Sequence, residues 1–301
     1  MKALVTGSSG FAGTYLREHL EAHGDEVAGL DRAEGTDLTD AAAVHRRLEE
    51  VRPEVVYHLG GIADVGASWE DPVGTFTANA TGTLHLLEAA RATGVRRVLV
   101  IGSAEVYGIV PEDRMPLTEA DPLRPVSPYG VSKVAAEHLA LQAWDGHGLE
   151  TVRVRAFNHL GPGQSERFVA GAIAHRIARA EREGSDEIEV GNLTPRRDFT
   201  DVRDVARAYR LLMTRAPAGE VYNVCSGRDV AISDLAETLV GLADRPLRLA
   251  VDPALQRVVD LPVSRGDRSK IRADTGWEPT IPLEETLGDL LDVVRATVAA
   301  P

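Results

Sequence analysis

Short apolar runs alternate along this chain with longer stretches in which apolar residues return every three or four positions. Residues 3–6 read as a strand, and 11–23 as a helix carrying Leu16 and Leu20 on one face. The same rhythm predicts a strand at 27–30, a helix at 40–51 and a strand at 55–59 after Pro53. It continues with a long helix at 71–93, a strand at 98–101, a second long helix at 128–146 and a strand at 151–155. Apolar strands alternating with amphipathic helices predict an α/β fold, a Rossmann-like doubly wound parallel sheet with crossover helices. Beyond Asn158 the rhythm degrades, broken by Gly161-Pro162-Gly163. A smaller, irregular, substrate-facing α/β lobe is expected there. A helical pattern at 203–213 and an apolar run at 221–224 predict a return to the main sheet. The expected division is therefore interleaved: residues 1–160 with a return segment at about 200–225 form the nucleotide-binding part, and 161–199 with 226–301 form the substrate lobe.

Composition narrows the class. With 301 residues the chain is long enough for two lobes sharing a cleft. A net charge of −13 repels a nucleic-acid backbone and offers no basic face to an anionic membrane, so neither is expected as a partner; an anionic ligand fits if positive charge is concentrated locally. The single cysteine, Cys225, permits no internal disulfide and suits a reducing cytoplasm. No secretory signal and no stretch of membrane-spanning length is evident, so a cytoplasmic protein is expected. The histidines show no tight metal-binding spacing, and no metal is expected. His19 and His23 are four apart, but on the first helix they are expected to face solvent.

The first strand runs into Thr6-Gly7-Ser8-Ser9-Gly10-Phe11-Ala12-Gly13, a G-x-x-G-x-x-G turn that opens a helix. Such spacing lets backbone approach a pyrophosphate at the positive end of a helix. Glycines also end strands for structural reasons, but the strand–turn–helix setting makes Gly7, Ser9, Gly10, Phe11, Ala12 and Gly13 candidate dinucleotide contacts. Asp31 closes the second strand, where its carboxylate can accept hydrogen bonds from an adenosine ribose. Asp37 and Leu38 come next, suitably placed for adenine. Asp31 favours NAD, because a carboxylate repels a 2′-phosphate. Arg32 beside it could pair with that phosphate or simply face solvent, which keeps NADP open.

Tyr129-Gly130-Val131-Ser132-Lys133 places a phenol and an ammonium one helical turn apart on one face. The expectation is that the ammonium lowers the phenol's pKa and readies it for proton exchange near neutral pH. An isolated pair of this kind is more often a packing tyrosine beside a solvated lysine. Ser103 and the glycine turn upstream reverse that balance.

Several motifs together resemble the extended short-chain dehydrogenase/reductase family acting on nucleotide sugars. They are the glycine turn, His58-Leu59-Gly60-Gly61, Asn79 in Ala78-Asn79-Ala80-Thr81-Gly82-Thr83, Ser103-Ala104-Glu105-Val106-Tyr107-Gly108, Tyr129-x-x-x-Lys133, Arg155-Ala156-Phe157-Asn158 and Arg197-Asp198-Phe199-Thr200-Asp201-Val202. The resemblance covers essentially the whole chain. It implies that Tyr129 is the general acid/base at the sugar C4 oxygen, that Lys133 anchors the nicotinamide ribose, and that Ser103 hydrogen-bonds the same oxygen. It adds Leu59, Gly60, Gly61, Tyr129, Lys133 and Phe157 to the cofactor set. Ser68, Asn158, Arg197, Arg257 and Asp260 fall on the substrate side, the two arginines as candidates for the diphosphate because guanidinium forks match phosphate oxygens.

Within the family, Val65-Gly66-Ala67-Ser68-Trp69-Glu70-Asp71-Pro72, Phe157-Asn158-His159-Leu160-Gly161-Pro162-Gly163-Gln164 and Gly191-Asn192-Leu193 look most like reductases of GDP-4-keto-6-deoxy-mannose. Val258 departs from the proline that this group commonly has after the arginine. Glu105 stands where dehydratases of the family carry a C5 base, or it pairs with a nearby arginine; Ala104 cannot protonate a leaving C6 hydroxyl. The implied activity is reduction of a C4 ketone, with 4-epimerase, 4,6-dehydratase and a cofactor-sensing protein without chemistry as rivals. Cys225 reads as a small buried filler. The apolar faces at 71–93 and 128–146, by the same resemblance, imply a homodimer through a four-helix contact.

Overall fold

The contiguous apolar runs become the strands of one parallel sheet. In the computed structural model, which describes residues 1–255 and 260–299, β1 (Lys2–Thr6) lies between β2 (Glu26–Leu30) and β3 (Val55–His58). The sheet continues through β4 (Arg97–Ile101) and β5 (Glu150–Ala156) to β9 (Val221–Val224), every pairing parallel. The chain builds outward from β1 in both directions, so the strand order reverses between β1 and β3. In doubly wound sheets that reversal opens a crevice at the carboxyl ends of the strands.

Side-chain alternation sends each strand's residues to two separate cores. Val5, Tyr57, Leu99, Val154 and Tyr222 pack with Leu16 and Leu20 of α1 (Phe11–Ala22) and Leu212 of α8 (Val202–Arg215). Leu4, Val56, Val98 and Val100 pack on the other face with α2 (Ala41–Val51), α5 (Gly82–Thr93) and α6 (Pro128–His147). The helix expected at 71–93 is not continuous. After α3 (Ala67–Glu70), Asp71 caps α4 (Pro72–Phe76) by accepting from the Gly74 amide at 2.8 Å, and a π-turn at Thr77–Thr81 then leads into α5. Such bulges frequently mark functional positions, and this one contains Asn79.

The second lobe is more regular than its sequence suggests. β6 (Asn158–Leu160) pairs with β8 (Arg196–Asp201), which is flanked by β10 (Asp229–Ala231) and β12 (Val263–Ser264). β7 (Glu187–Val190) pairs with β11 (Arg248–Val251). Around them pack α7 (Val169–Glu183), α9 (Ile232–Gly241) and α11 (Leu283–Ala299), while α10 (Ser269–Thr275) docks on α8 and β9. The expectation of irregularity fails because the buried side of α7 is built largely from alanines. Ala170, Ala174 and Ala178 accompany Ile173 and Ile177 at helical spacing, a weak apolar signal that packs well at close range. The break at Gly161-Pro162-Gly163 ends β6 and leaves the downstream helices and strands intact.

Charge is also buried between α6 and the sheet. Arg155 on β5 donates to both carboxylate oxygens of Glu137 on α6, at 3.0 and 2.7 Å, with both residues shielded from water. Glu137→Gln leaves Arg155 without its counter-ion. Breaking a buried pair this way costs about 3–5 kcal/mol, so urea denaturation is expected to show an unfolding free energy lower by that amount and a correspondingly lower midpoint; an unchanged midpoint would mean the pair is neutral.

Candidate active site

At the switch point, β1 hands the chain to α1 through a turn that tolerates no side chains at two positions. Gly7 has φ +66°, and its amide donates to the Leu30 carbonyl at 3.0 Å. A Cβ on Gly13 would lie 2.1 Å from the Gly7 carbonyl oxygen. α1 starts after Gly10 with no side-chain cap and no acidic residue in its first turn. The positive end of the helix is thereby suited to a diphosphate, and these residues fit a dinucleotide. Ser9 contributes its amide to Asp31, at 2.8 Å. Asp31 also accepts from Ser8 Oγ at 2.9 Å and from the Glu34 amide at 3.0 Å. Burial opposes ionisation, but these hydrogen bonds win and hold the Asp31 carboxyl down to about 2. Glu34, missed in the sequence, adds a second carboxylate that shares the Ser8 hydroxyl, at 3.1 Å. Arg32 is 80% exposed and lies 3.9 Å from Asp37. Leu38 sits so close to Gly60 that a Cβ there would meet Leu38 Cδ1 at 2.7 Å.

Beyond β4 the chain turns at Ser103, whose hydroxyl accepts from the Glu105 amide at 3.2 Å and starts a short turn at Ala104–Tyr107. Ser127 caps α6 by accepting from the Gly130 amide at 3.0 Å. The helix then presents Tyr129 and Lys133, 7% and 8% exposed, on its buried face. Lys133 Nζ donates to the Ile101 carbonyl at 3.0 Å and lies 5.9 Å from the centre of the Tyr129 ring. Gly61 is its other neighbour, a Cβ there falling 4.0 Å from Nζ.

This geometry corrects the expected lowering of the phenol's pKa. Burial pushes Tyr129 up to about 12, the Ser103 hydrogen bond offsets part of that, and the Glu105 charge adds to it. Burial likewise brings Lys133 down to about 8. The ammonium is committed to a backbone carbonyl, and desolvation dominates both groups. At neutral pH the phenol holds its proton, which suits a donor rather than a base.

The second lobe contains a cavity of about 240 Å³. Val169, Ile173, Leu193 and Ile232 supply apolar walls, and Asn158 and Asn192 supply amides. Arg167, Arg176 and Arg197 line it against Glu166 and Asp260, so positive charge is locally in excess in an acidic chain. Asn192 and Leu193 belong to a segment conspicuous in the sequence; Val169, Ile173 and Arg176 come from α7, whose helix the sequence did not reveal.

The structure does not gather every expected residue. Ser68 is fully buried, donating to the Val65 carbonyl at 2.7 Å and accepting from the Tyr129 amide at 3.2 Å. It holds the first turn of α6 and has no surface to offer a substrate. The Phe157 ring packs with Tyr107, Leu117 and Cys225, and its amide donates to the Val224 carbonyl at 3.0 Å. Arg197 lines the cavity but donates to the Leu261 carbonyl at 2.6 Å and to Asp260 at 2.5 Å, tying down the loop edge. Arg257 lies outside the described residues. His19 and His23 lie with ring centroids 4.3 Å apart, tilted by 45°, at the end of α1. No helix among the described residues is long and apolar enough to cross a membrane.

Residues 3–225 match the family described as "NAD dependent epimerase/dehydratase family". The chain is 38% identical to GDP-6-deoxy-D-mannose reductase of Pseudomonas aeruginosa over 293 residues, 96% of each chain. A solved structure of RMD from Pseudomonas aeruginosa complexed with NADPH superposes with a TM-score of 0.91 at 36% identity, covering 99% of this chain and all of that one. The UDP-glucose 4-epimerase of Thermus thermophilus in complex with NAD gives 0.89 at 31% identity, over 98% of this chain and 99% of its own.

Gly13→Ala is expected to weaken dinucleotide binding by about 5- to 150-fold, since overpacking costs about 1–3 kcal/mol and tenfold is about 1.4 kcal/mol. Titration calorimetry with NADH and NADPH checks this; undiminished affinity would show that the turn does not meet the diphosphate.

Proposed function

This chain belongs to the NAD dependent epimerase/dehydratase family, and we propose that it reduces the C4 ketone of a nucleotide-linked 4-keto-6-deoxy sugar, GDP-4-keto-6-deoxy-mannose being the favoured substrate. The observation that carries this reading is the phenol of Tyr129, buried beside Lys133 and held by Ser103. Likeness to a GDP-sugar reductase over 96% of the chain supports it.

A nicotinamide cofactor held at the glycine turn would supply the hydride that reduces C4. As the carbonyl becomes an alkoxide, Ser103 and Tyr129 donate hydrogen bonds to its oxygen, and Tyr129 passes its proton across. The ammonium of Lys133 stabilises the phenolate left behind. The arginine-rich cavity suits the diphosphate and base, and Asn158 in its lining offers an amide to the sugar. The ionised Asp31 with Glu34 beside it favours NADH, because two carboxylates oppose a 2′-phosphate. Val73, Phe76, Leu84 and Val131 are exposed on α4, α5 and α6, and α4 packs against α6. This apolar surface supports a homodimer through these helices.

Purified protein with GDP-4-keto-6-deoxy-mannose is expected to consume NADH or NADPH one for one; sugar conversion without consumption would replace this reading with epimerisation or dehydration. Tyr129→Phe should lower kcat by about 10²–10⁴ while leaving cofactor affinity intact. Reduction should slow as pH rises through about 8, where Lys133 loses its proton, while the phenol remains protonated. A profile flat to well above that pH would remove Lys133 from the proton step. For the dimer, Phe76→Glu should halve the mass seen by sedimentation; a wild type that sediments as a monomer refutes it.

A further inference from the structure

One buried histidine joins the cofactor crevice to the catalytic helix. His58, the last residue of β3, is 3% exposed. Its Nδ1 lies 2.8 Å from Thr6 Oγ1, and its Nε2 lies 2.8 Å from Thr83 Oγ1. Thr6 Oγ1 accepts from the Gly60 amide at 2.8 Å. Thr83 Oγ1 donates to the Asn79 carbonyl at 2.5 Å. Asn79 in turn donates from Nδ2 to Ser132 Oγ at 2.9 Å, and Ser132 donates to the Tyr129 carbonyl at 2.7 Å. Asn79 Oδ1 also accepts from the Ile62 amide at 2.7 Å, just past Gly60 and Gly61.

Proton counting settles the direction of this chain. A hydroxyl has one proton, and Thr83 spends it on a carbonyl, which can only accept. The bond between Thr83 and His58 must therefore carry a proton on Nε2. Burial and the Lys133 charge keep His58 neutral, driving its pKa down to about 3. Nδ1 is then a bare acceptor, and Thr6, already accepting from Gly60, gives Nδ1 its single proton. Every donor and acceptor in the series is matched.

We propose that His58 is a positioning residue, held as the neutral Nε2–H tautomer, that locks the Gly60–Gly61 loop and the Asn79 π-turn to the helix bearing Tyr129 and Lys133. His58 touches no reacting atom. It couples two elements that must keep their register: the loop after β3, which adjoins Lys133, and the π-turn, which reaches Ser132. An imidazole suits the place because it spans both threonines while being acceptor on one side and donor on the other. The role rests on the reading of Tyr129 and Lys133 as the reaction centre, but the tautomer itself does not.

The primary test is nuclear magnetic resonance of the wild type labelled on its histidine nitrogens, with the His58 signals assigned by their loss in His58→Gln. Protonated Nε2 and bare Nδ1 at neutral pH are expected; the opposite tautomer or an imidazolium would overturn the proposal without any turnover being measured. Two variants then separate the arms. His58→Gln can still donate toward Thr83 but loses the acceptor at Nδ1, whereas Thr83→Val removes the acceptor for Nε2. Each is expected to lower kcat by about tenfold or more. Only His58→Gln should also weaken dinucleotide binding, read by fluorescence titration. The double variant should be no worse than the more severe single one, as for residues acting through one series. Independent, multiplying losses, or folded variants with wild-type kcat, would refute the coupling. A wild type inert toward the keto sugar but showing the expected tautomer would instead refute the substrate assignment.

Discussion

The molecule depends on one helix face that buries ionisable groups in place of a greasy stripe. Tyr129, Ser132, Lys133 and Glu137 recur at helical spacing along α6 and are all turned into the protein. Each would be costly there without a partner. Ser132 meets Asn79 and the Tyr129 carbonyl, Lys133 meets the Ile101 carbonyl, and Glu137 meets Arg155. Further along, Ala136, Ala140 and Ala143 let the helix lie close on the sheet. The polar half of the helix therefore sits over the carboxyl ends of the strands, where a cofactor and sugar are expected, and the small-residue half supplies the packing.

Desolvation then sets the chemistry. Removing water raises the phenol and lowers the amine, so both drift toward their neutral forms. A protonated donor beside a cation that titrates close to physiological pH matches ketone reduction better than alcohol oxidation. The partners of Arg155 extend this control. Its Nη1 donates to Tyr107 OH at 3.0 Å, and Tyr107 donates to Asn223 on β9 at 2.7 Å. The turn that carries Ser103 and Glu105 is thus braced against the far edge of the sheet. Asp198 does comparable work within the second lobe, accepting from the amides of Ser226, Gly227 and Gly266.

Much of this was legible in the residues. The strand at 221–224 and the helix around 203–213 were visible as a return to the main sheet because full burial demands unbroken apolar runs. The Tyr129–Lys133 spacing and the glycine turn were legible because helical periodicity and a close backbone approach each constrain residue type. The regular second lobe was not, since alanine-lined helices carry little contrast between faces. Ser68 and Phe157 were assigned to ligands from their motifs, yet their surroundings turned them to packing and helix anchoring. Glu34 and Arg176 gave no local signal, because what matters about them is which surface they reach.

By itself, the sequence determined the strands of the main sheet, the residue types able to move a proton, and the turn that only glycine can make, since all of these follow from local periodicity and sterics. Tertiary structure alone decided the protonation of Tyr129 and Lys133, the tautomer of His58 and the arginine-rich cavity. Those properties depend on how much water is excluded and on which distant groups face one another, and neither is encoded at any single position along the chain.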